Sequence, residues 1–281
     1  MTLEEKKQLK IAACKVRMGV IEGTHSAKAG HPGGSLSAAD LFTYLYFREM
    51  NIDPADPKAE NRDRFVLSKG HTAPGLYATL ANRGFFPVSD LLTLRQIGSH
   101  LQGHPNMNMT PGVDMSTGSL GQGVSAAAGM ALAAKHKGMG CRVYALLGDG
   151  EIQEGQVWEA FMLAHHYKLD NLCVIIDNNG LQIDGRIDDV MSPYPIPDKL
   201  KAFGFEVAEI DGHDFDQMEE AFARARSTKD VPFAIVMKTT KGKGVSYMEN
   251  QAGWHGKAPN DEEYEIAMNE LKAQLAEAEA M

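Results

Sequence analysis

The chain has 281 residues, with 28 Lys and Arg against 37 Asp and Glu, for a formal net charge of −9. That balance excludes a general nucleic-acid-binding role, which needs a basic face to replace counterions, and the length allows one large α/β domain or two small ones. Cys14, Cys141 and Cys173 show no CxxC spacing and read as reduced core residues, and no apolar run reaches the roughly eighteen residues of a membrane span, so a cytoplasmic protein without a membrane partner is expected.

Leu9, Ala12, Ala13, Val16, Val20 and Ile21 recur at helical spacing and predict a helix over residues 3–27. Gly30-His31-Pro32-Gly33-Gly34 follows. Because glycine and proline break helices, this segment is expected to be a tight non-helical loop carrying His31, with a second helix over residues 37–48. A polar connection then leads to a strand over residues 64–67, to Ser68-Lys69-Gly70-His71, and to a helix over residues 74–82. Residues 98–118 contain His100 and His104 and have no periodicity; so long an irregular stretch in a compact domain is expected to be functional. Gly118-Ser119-Leu120-Gly121-Gln122-Gly123 opens a small-residue helix running to residue 134.

Apolar strands over residues 143–147 and 172–176 flank a segment with Trp158, Phe161, Met162 and Leu169 at helical spacing, which makes a βαβ unit. Strands over residues 205–210 and 233–237, separated by a helix over residues 214–226, extend the sheet, and an acidic amphipathic helix over residues 261–279 ends the sequence. There is no linker, repeat or low-complexity tract. The expected architecture is a single α/β domain over residues 1–281, a doubly wound, mainly parallel sheet flanked by helices.

In a parallel sheet Gly148-Asp149-Gly150 and Asn178-Asn179-Gly180 leave their strands at the same carboxyl edge, where ligands of open α/β sheets bind. Either tripeptide alone is an ordinary turn. Together, Asp149 and Asn179 offer hard oxygen ligands of the kind magnesium or calcium takes, and magnesium would keep positions open for a phosphorylated ligand.

Among ten histidines, His31, His71, His104 and His255 sit beside glycine in loops, whereas His136, His165 and His166 fall inside predicted helices and His25 near a helix end. A zinc site is disfavoured because Gly103 and Pro105 oppose the helix that the His100–His104 spacing needs. Gly121-Gln122-Gly123 lacks a third glycine and a preceding strand, and Lys241-Gly242-Lys243-Gly244 lacks the Walker spacing, so dinucleotide and nucleoside triphosphate binding drop out.

Read in order, the segments around His31, His71 and His104, Gly118 to Gly123, Gly148-Asp149-Gly150-Glu151-Ile152-Gln153-Glu154-Gly155, Asp177-Asn178-Asn179-Gly180, Lys238-Thr239-Thr240-Lys241-Gly242-Lys243-Gly244 and Trp254-His255-Gly256 resemble transketolases over nearly the whole chain. The likeness is to the amino-terminal, diphosphate-binding domain of that family. It implies thiamine diphosphate and Mg2+, with Ca2+ or Mn2+ as possible substitutes, the metal being held by Asp149, Asn179 and the Leu181 carbonyl. It further implies that His71 and His255 reach the diphosphate, that Gly118 and Leu120 line the thiamine side, that Gly150 contacts the phosphates, and that His31, His104 and His255 face the sugar. Histidine suits this work, since cleaving a ketose between C2 and C3 moves a hydroxyl proton near neutral pH.

Two departures from the family pattern, Gly34-Ser35 where Ala-Pro is common and Ser119 where Pro is common, remove no catalytic group. The resemblance implies a split enzyme, in which a separate pyrimidine-binding chain completes the site in a heterotetramer acting on sugar phosphates, and Glu154 resembles an interface glutamate. A deoxyxylulose-phosphate synthase or 2-oxoacid dehydrogenase subunit would share the metal motif, and a non-catalytic partner could share the fold.

Overall fold

A computed structural model describing residues 1–281 shows a five-stranded sheet in which every neighbouring pair is parallel. Strands β1 (Arg64–Leu67), β2 (Val143–Gly148) and β3 (Leu172–Asn178) are followed by a short antiparallel ribbon, β4 (Leu181–Gln182) with β5 (Gly185–Arg186), and then by β6 (Glu206–Asp211) and β7 (Phe233–Lys238). The spatial order is β1-β2-β3-β7-β6. Ten helices accompany them: α1 (Leu3–Ala27), α2 (Pro32–Ser37), α3 (Ala39–Tyr44), α4 (Ala73–Arg83), α5 (Gln122–His136), α6 (Gly155–His166), α7 (Ile187–Val190), α8 (Ile196–Ala202), α9 (Phe215–Ser227) and α10 (Asp261–Glu279).

The two-residue period of a strand sends alternate side chains to opposite faces, and both faces are covered. Leu67, Tyr144, Leu146, Cys173, Ile175, Phe233 and Ile235 pack with Val16, Phe42, Tyr77, Phe222 and Leu271 from α1, α3, α4, α9 and α10. Val66, Ala145, Leu147, Val174, Ile176 and Val236 pack with Val124, Ala127, Phe161 and Leu200 from α5, α6 and α8. The three cysteines are buried and unpaired. No helix is long and apolar enough to cross a membrane.

Local chemistry sets the ends of the long helices. Thr2 and Glu5 form a reciprocal capping box on α1, Asn260 and Glu263 another on α10, and Asp214 caps α9 through the N–H groups of Asp216 and Gln217.

Residues 32–37 correct one expectation, since they form helix α2 and not a loop. Pro32 stands in the first turn, where a missing N–H costs nothing. Gly33 and Gly34 are tolerated because the helix lies against other chain segments: a Cβ on Gly33 would stand 2.7 Å from the Trp254 carbonyl oxygen, and one on Gly34 2.7 Å from Thr72 Cγ2. The helix expected over residues 37–48 is broken into α3 and a wider π turn over Leu45–Glu49. Glu49, at the end of that turn, accepts the Tyr144 hydroxyl at 2.9 Å and pairs with Arg226.

The irregular stretch around residues 98–118 is ordered by bonds to its neighbours. Asp114 pairs with Arg62 and accepts the Phe65 N–H at 2.8 Å, Thr117 Oγ1 donates to the Leu67 carbonyl at 2.7 Å, and the Tyr77 hydroxyl reaches the Gln102 and His104 carbonyls at 2.9 and 3.0 Å.

Candidate active site

Four adjacent strands, β1, β2, β3 and β7, bring their carboxyl ends to one cleft of about 280 Å³, whose lining includes Lys69, His71, Asp149, Asn179, Lys241 and His255. Asp177, fully buried near the end of β3, ties these ends together. Lys69, two residues past β1, forms an ion pair with one carboxylate oxygen, and Thr239, just past β7, donates a hydrogen bond to the other; Ser37 Oγ donates at 2.6 Å and Asn179 Nδ2 at 3.2 Å. Burial alone would raise the Asp177 carboxyl, but the Lys69 ammonium outweighs it and holds the group below its ordinary range.

A second buried carboxylate braces the other side. Glu151 accepts Ser68 Oγ at 2.5 Å, the Gly121 N–H at 3.0 Å and the Gly148 N–H at 3.1 Å, joining the ends of β1 and β2 to the start of α5. Its carboxyl is raised by burial.

Asp149, just past β2, is 2% exposed and accepts the N–H of Gly180 at 2.6 Å and of Gly150 at 2.9 Å. Burial first, and then the Asp177 charge, push its carboxyl up to about 7. Asn179 lines the same cleft; its Oδ1 accepts the Leu181 N–H at 3.1 Å, and the Leu181 carbonyl accepts Lys241 Nζ at 3.2 Å. Asp149 and Asn179 are thus joined through the Gly180 backbone and not side chain to side chain. A buried carboxylate held up by a second one is a group that a divalent cation would return to its ionised form, and the Asn179 and Leu181 oxygens are neutral hard donors. This donor set fits magnesium. No group of three His, Cys, Asp or Glu residues has metal-holding spacing, and His100 pairs with Asp90 at 3.1 Å.

His31, His71 and His255 form a compact group, with ring centroids 5.2 Å apart for His31 and His71, 5.5 Å for His31 and His255, and 4.9 Å for the stacked pair His71 and His255. Burial, reinforced by nearby cations, lowers all three. His31 falls to about 4, with Arg95 next in effect; His71 falls to about 2, helped by Lys69; His255 falls to about 3, helped by Lys241. Lys241 Nζ lies 2.9 Å from His255 Nδ1, and burial followed by the Lys69 charge brings this ammonium down to about 8. Neutral imidazoles and two ammoniums share the cleft with the raised carboxyls of Asp149 and Glu151. Lys69 is paired with Asp177, so the Lys241 ammonium is the cation left there for an anion. His31 Nδ1 is buried without a partner.

The remaining expected residues border this centre. His104 is exposed, and its ring lies against Gly118, where a Cβ would stand 3.2 Å from His104 Cγ. Leu120, Gly150 and Glu154 line the cleft. Glu154 is exposed, with Gly121 so close that a Cβ there would be 2.9 Å from Glu154 Cβ. Lys69, Glu151, Asp177 and Lys241 were not singled out by sequence reasoning. Each is a charged residue within a few positions of an apolar strand's end, which is the signal that could have found them.

Residues 8–277 match the family model described as "Transketolase, thiamine diphosphate binding domain". The chain is 43% identical over 271 residues to an apulose-4-phosphate transketolase subunit from Phocaeicola vulgatus, covering 96% of each. It is 42% identical to a 6-deoxy-6-sulfo-D-fructose transketolase subunit from a Clostridium species, covering 97% of this chain and 99% of that one. Human transketolase is 42% identical over 95% of this chain, which spans 42% of that relative. The crystal structure of Campylobacter jejuni transketolase superimposes with a TM-score of 0.88 at 32% identity, over 96% of this chain and 45% of that one. This chain therefore belongs to the transketolase family and spans its thiamine diphosphate binding domain.

Proposed function

We propose that this transketolase chain is the diphosphate-binding subunit of a thiamine diphosphate-dependent transferase completed by a separate pyrimidine-binding chain, which moves a two-carbon ketol unit from a ketose phosphate to an aldose phosphate. The observation that carries the reading is the meeting, in one cleft, of the Asp149, Asn179 and Leu181 oxygens with Lys241, His71 and His255. The three oxygens would hold Mg2+, or Ca2+ or Mn2+ in its place, while Lys241, His71, His255 and Gly150 receive the diphosphate. Gly118 and Leu120 would border the thiamine rings. Thiamine diphosphate supplies the carbon centre that takes up the two-carbon unit. His31, His104 and His255 face the sugar; His31, neutral at pH 7 and with its Nδ1 unpartnered, accepts and returns the C3 hydroxyl proton, while the neutral His255 holds the same oxygen with its ring N–H.

Two relatives matched nearly end to end are named as subunits, and the longer transketolases extend well beyond the matched part. These relations support residues 1–281 as one diphosphate-binding domain, a pyrimidine-binding partner, and a heterotetramer with exposed Glu154 at an interface. Buried unpaired cysteines suit the cytoplasm. The test is reconstitution. The purified chain should show no ketol transfer, and addition of the pyrimidine-binding chain should restore turnover and give a larger species by light scattering. Turnover by the chain alone, with partner excluded by mass spectrometry, would refute the two-chain reading.

A further inference from the structure

The backbone on either side of Lys241 is held from behind by one buried carboxylate. Asp40, in α3, accepts both ends of the Arg17 guanidinium, Nη1 at 3.0 Å and Nη2 at 2.6 Å, and His213 Nδ1 lies 2.7 Å from the same carboxylate. Each arm reaches onward. Arg17 Nε donates to the Lys243 carbonyl at 3.1 Å, and His213 Nε2 accepts the Thr240 N–H at 3.0 Å. A backbone N–H can only donate, so His213 Nε2 is bare and the ring proton sits on Nδ1, where it donates to Asp40.

Burial would raise the Asp40 carboxyl; Arg17 and His213 instead bring it down to about 2, so both arms rest on a full negative charge. Arg17, Asp40 and His213 side chains are only 7%, 9% and 16% exposed, and none lines the cleft. Apolar side chains of similar volume would serve the core at least as well. What this set adds is orientation. Other bonds hold the same loop, among them the Gly242 N–H to the Gly33 carbonyl and the Asn250 N–H to the Lys241 carbonyl, both 2.9 Å, and the Lys243 N–H to the Thr240 carbonyl at 3.2 Å, but the Thr240 N–H and the Lys243 carbonyl are met by the two arms.

We propose that Arg17, Asp40 and His213 are positioning residues that clamp Thr240 and Lys243 and so set Lys241 Nζ on His255 Nδ1 and the Leu181 carbonyl. An ammonium has only donors, so this contact keeps His255 Nδ1 bare and its proton on Nε2. The clamp therefore fixes the tautomer of a ring in the cleft without touching it.

Two substitutions separate the clamp from simple charge pairing. His213→Asn retains a donor for Asp40 but is too short for the Thr240 N–H, whereas His213→Gln carries an acceptor at the reach of Nε2. The full-length chain, labelled with 15N-histidine, is examined by long-range 1H–15N correlation for the His255 ring, and thiamine diphosphate binding with Mg2+ is measured by calorimetry. His213→Asn should spread His255 over both tautomers and weaken binding by about tenfold, while His213→Gln keeps the wild-type ring and stays within about threefold. Equal behaviour of the two variants, or greater damage from Gln, overturns the proposal. The affinity measurement rests on the cleft being the diphosphate site and the ring measurement does not: an altered His255 ring with unaltered affinity upholds the clamp and removes the diphosphate role of Lys241. If His213→Asn unfolds the chain, Arg17→Lys decides, because it keeps a charge against Asp40 and withdraws the bond to Lys243. Wild-type His255 shifts in that variant overturn the proposal.

Discussion

Asp149 and Asp177 end neighbouring parallel strands, the N–H of Asp149 donating to the Asp177 carbonyl at 3.2 Å, yet only Asp177 has a cation in direct contact. The consequence is a division of charge. Lys69 keeps Asp177 ionised, and the uncompensated Asp149 is pushed up to about 7.

The first prediction follows from that sign. A carboxyl raised from about 3.9 in the unfolded chain binds its proton more tightly when folded, so stability is lost as pH climbs from about 4 to 7 and the full penalty remains above 7. Asp149→Asn removes this penalty but keeps only one oxygen for two N–H donors. In the cofactor-free chain at pH 8 it should stabilise by about 1–3 kcal/mol, with the gain fading towards pH 5. Denaturant melts at both pH values check this; a gain that grows on acidification would contradict it.

Asp149→Ala probes the same residue with cofactor present. Loss of the one carboxylate in the donor set leaves the diphosphate poorly neutralised, so affinity for thiamine diphosphate with Mg2+ should fall by at least about tenfold while the fold survives. Unchanged binding by calorimetry would sink the metal assignment.

The histidines predict the opposite pH slope. His31, His71 and His255 are held down to about 4, 2 and 3, so their stabilisation is complete above the unfolded value near 6.5 and is lost as pH falls towards those folded values. His71→Gln should flatten the decline of Tm in the cofactor-free chain between pH 6.5 and 4. A slope equal to wild type would show that acid destabilisation arises elsewhere.

The roles proposed for His31, His71 and His104 can be told apart. His31→Ala and His104→Ala should slow ketol transfer by about a hundredfold with cofactor still bound, whereas His71→Ala should weaken cofactor retention. Steady-state kinetics and calorimetry on the reconstituted enzyme check both arms, and normal turnover with cofactor loss in His31→Ala would reverse the assignment.

Strand ends were legible because period and composition there agree with the tertiary outcome: buried Val174, Ile175 and Ile176 run apolar on both faces, as a covered parallel strand requires. Helix α2 was not, because the fit of Gly33 to Trp254 and of Gly34 to Thr72 joins residues far apart in sequence, and local rules see only helix breakers. Histidines beside glycine stood out in the sequence. The lysines and the Asp177 hub did not, since a charged residue after a strand is common and only the sheet order β1-β2-β3-β7 brings Lys69, Asp177 and Thr239 into contact.

The last prediction concerns the face left to a partner. The small-residue helix α5 is half spent within the chain: Val124, Ala127, Ala128 and Ala131 are buried against the sheet and α6. Gly129 and Ala133 remain outside, beside a helix whose Met162 and Leu163 are 56% and 39% exposed. Leu120, just before α5, lines the cleft, so a chain that covers the cleft can continue along this helix. At Gly129 an added Cβ would meet nothing within 4 Å. Gly129→Leu should therefore be harmless to the isolated chain, even stabilising it by about 0.5–1 kcal/mol through helix propensity. Against a closely docked partner the same side chain is an obstruction. The variant should melt no lower than wild type, bind thiamine diphosphate as wild type does when alone, and fail to form the larger complex or to gain turnover on mixing. Full reconstitution by Gly129→Leu would place the partner on another face.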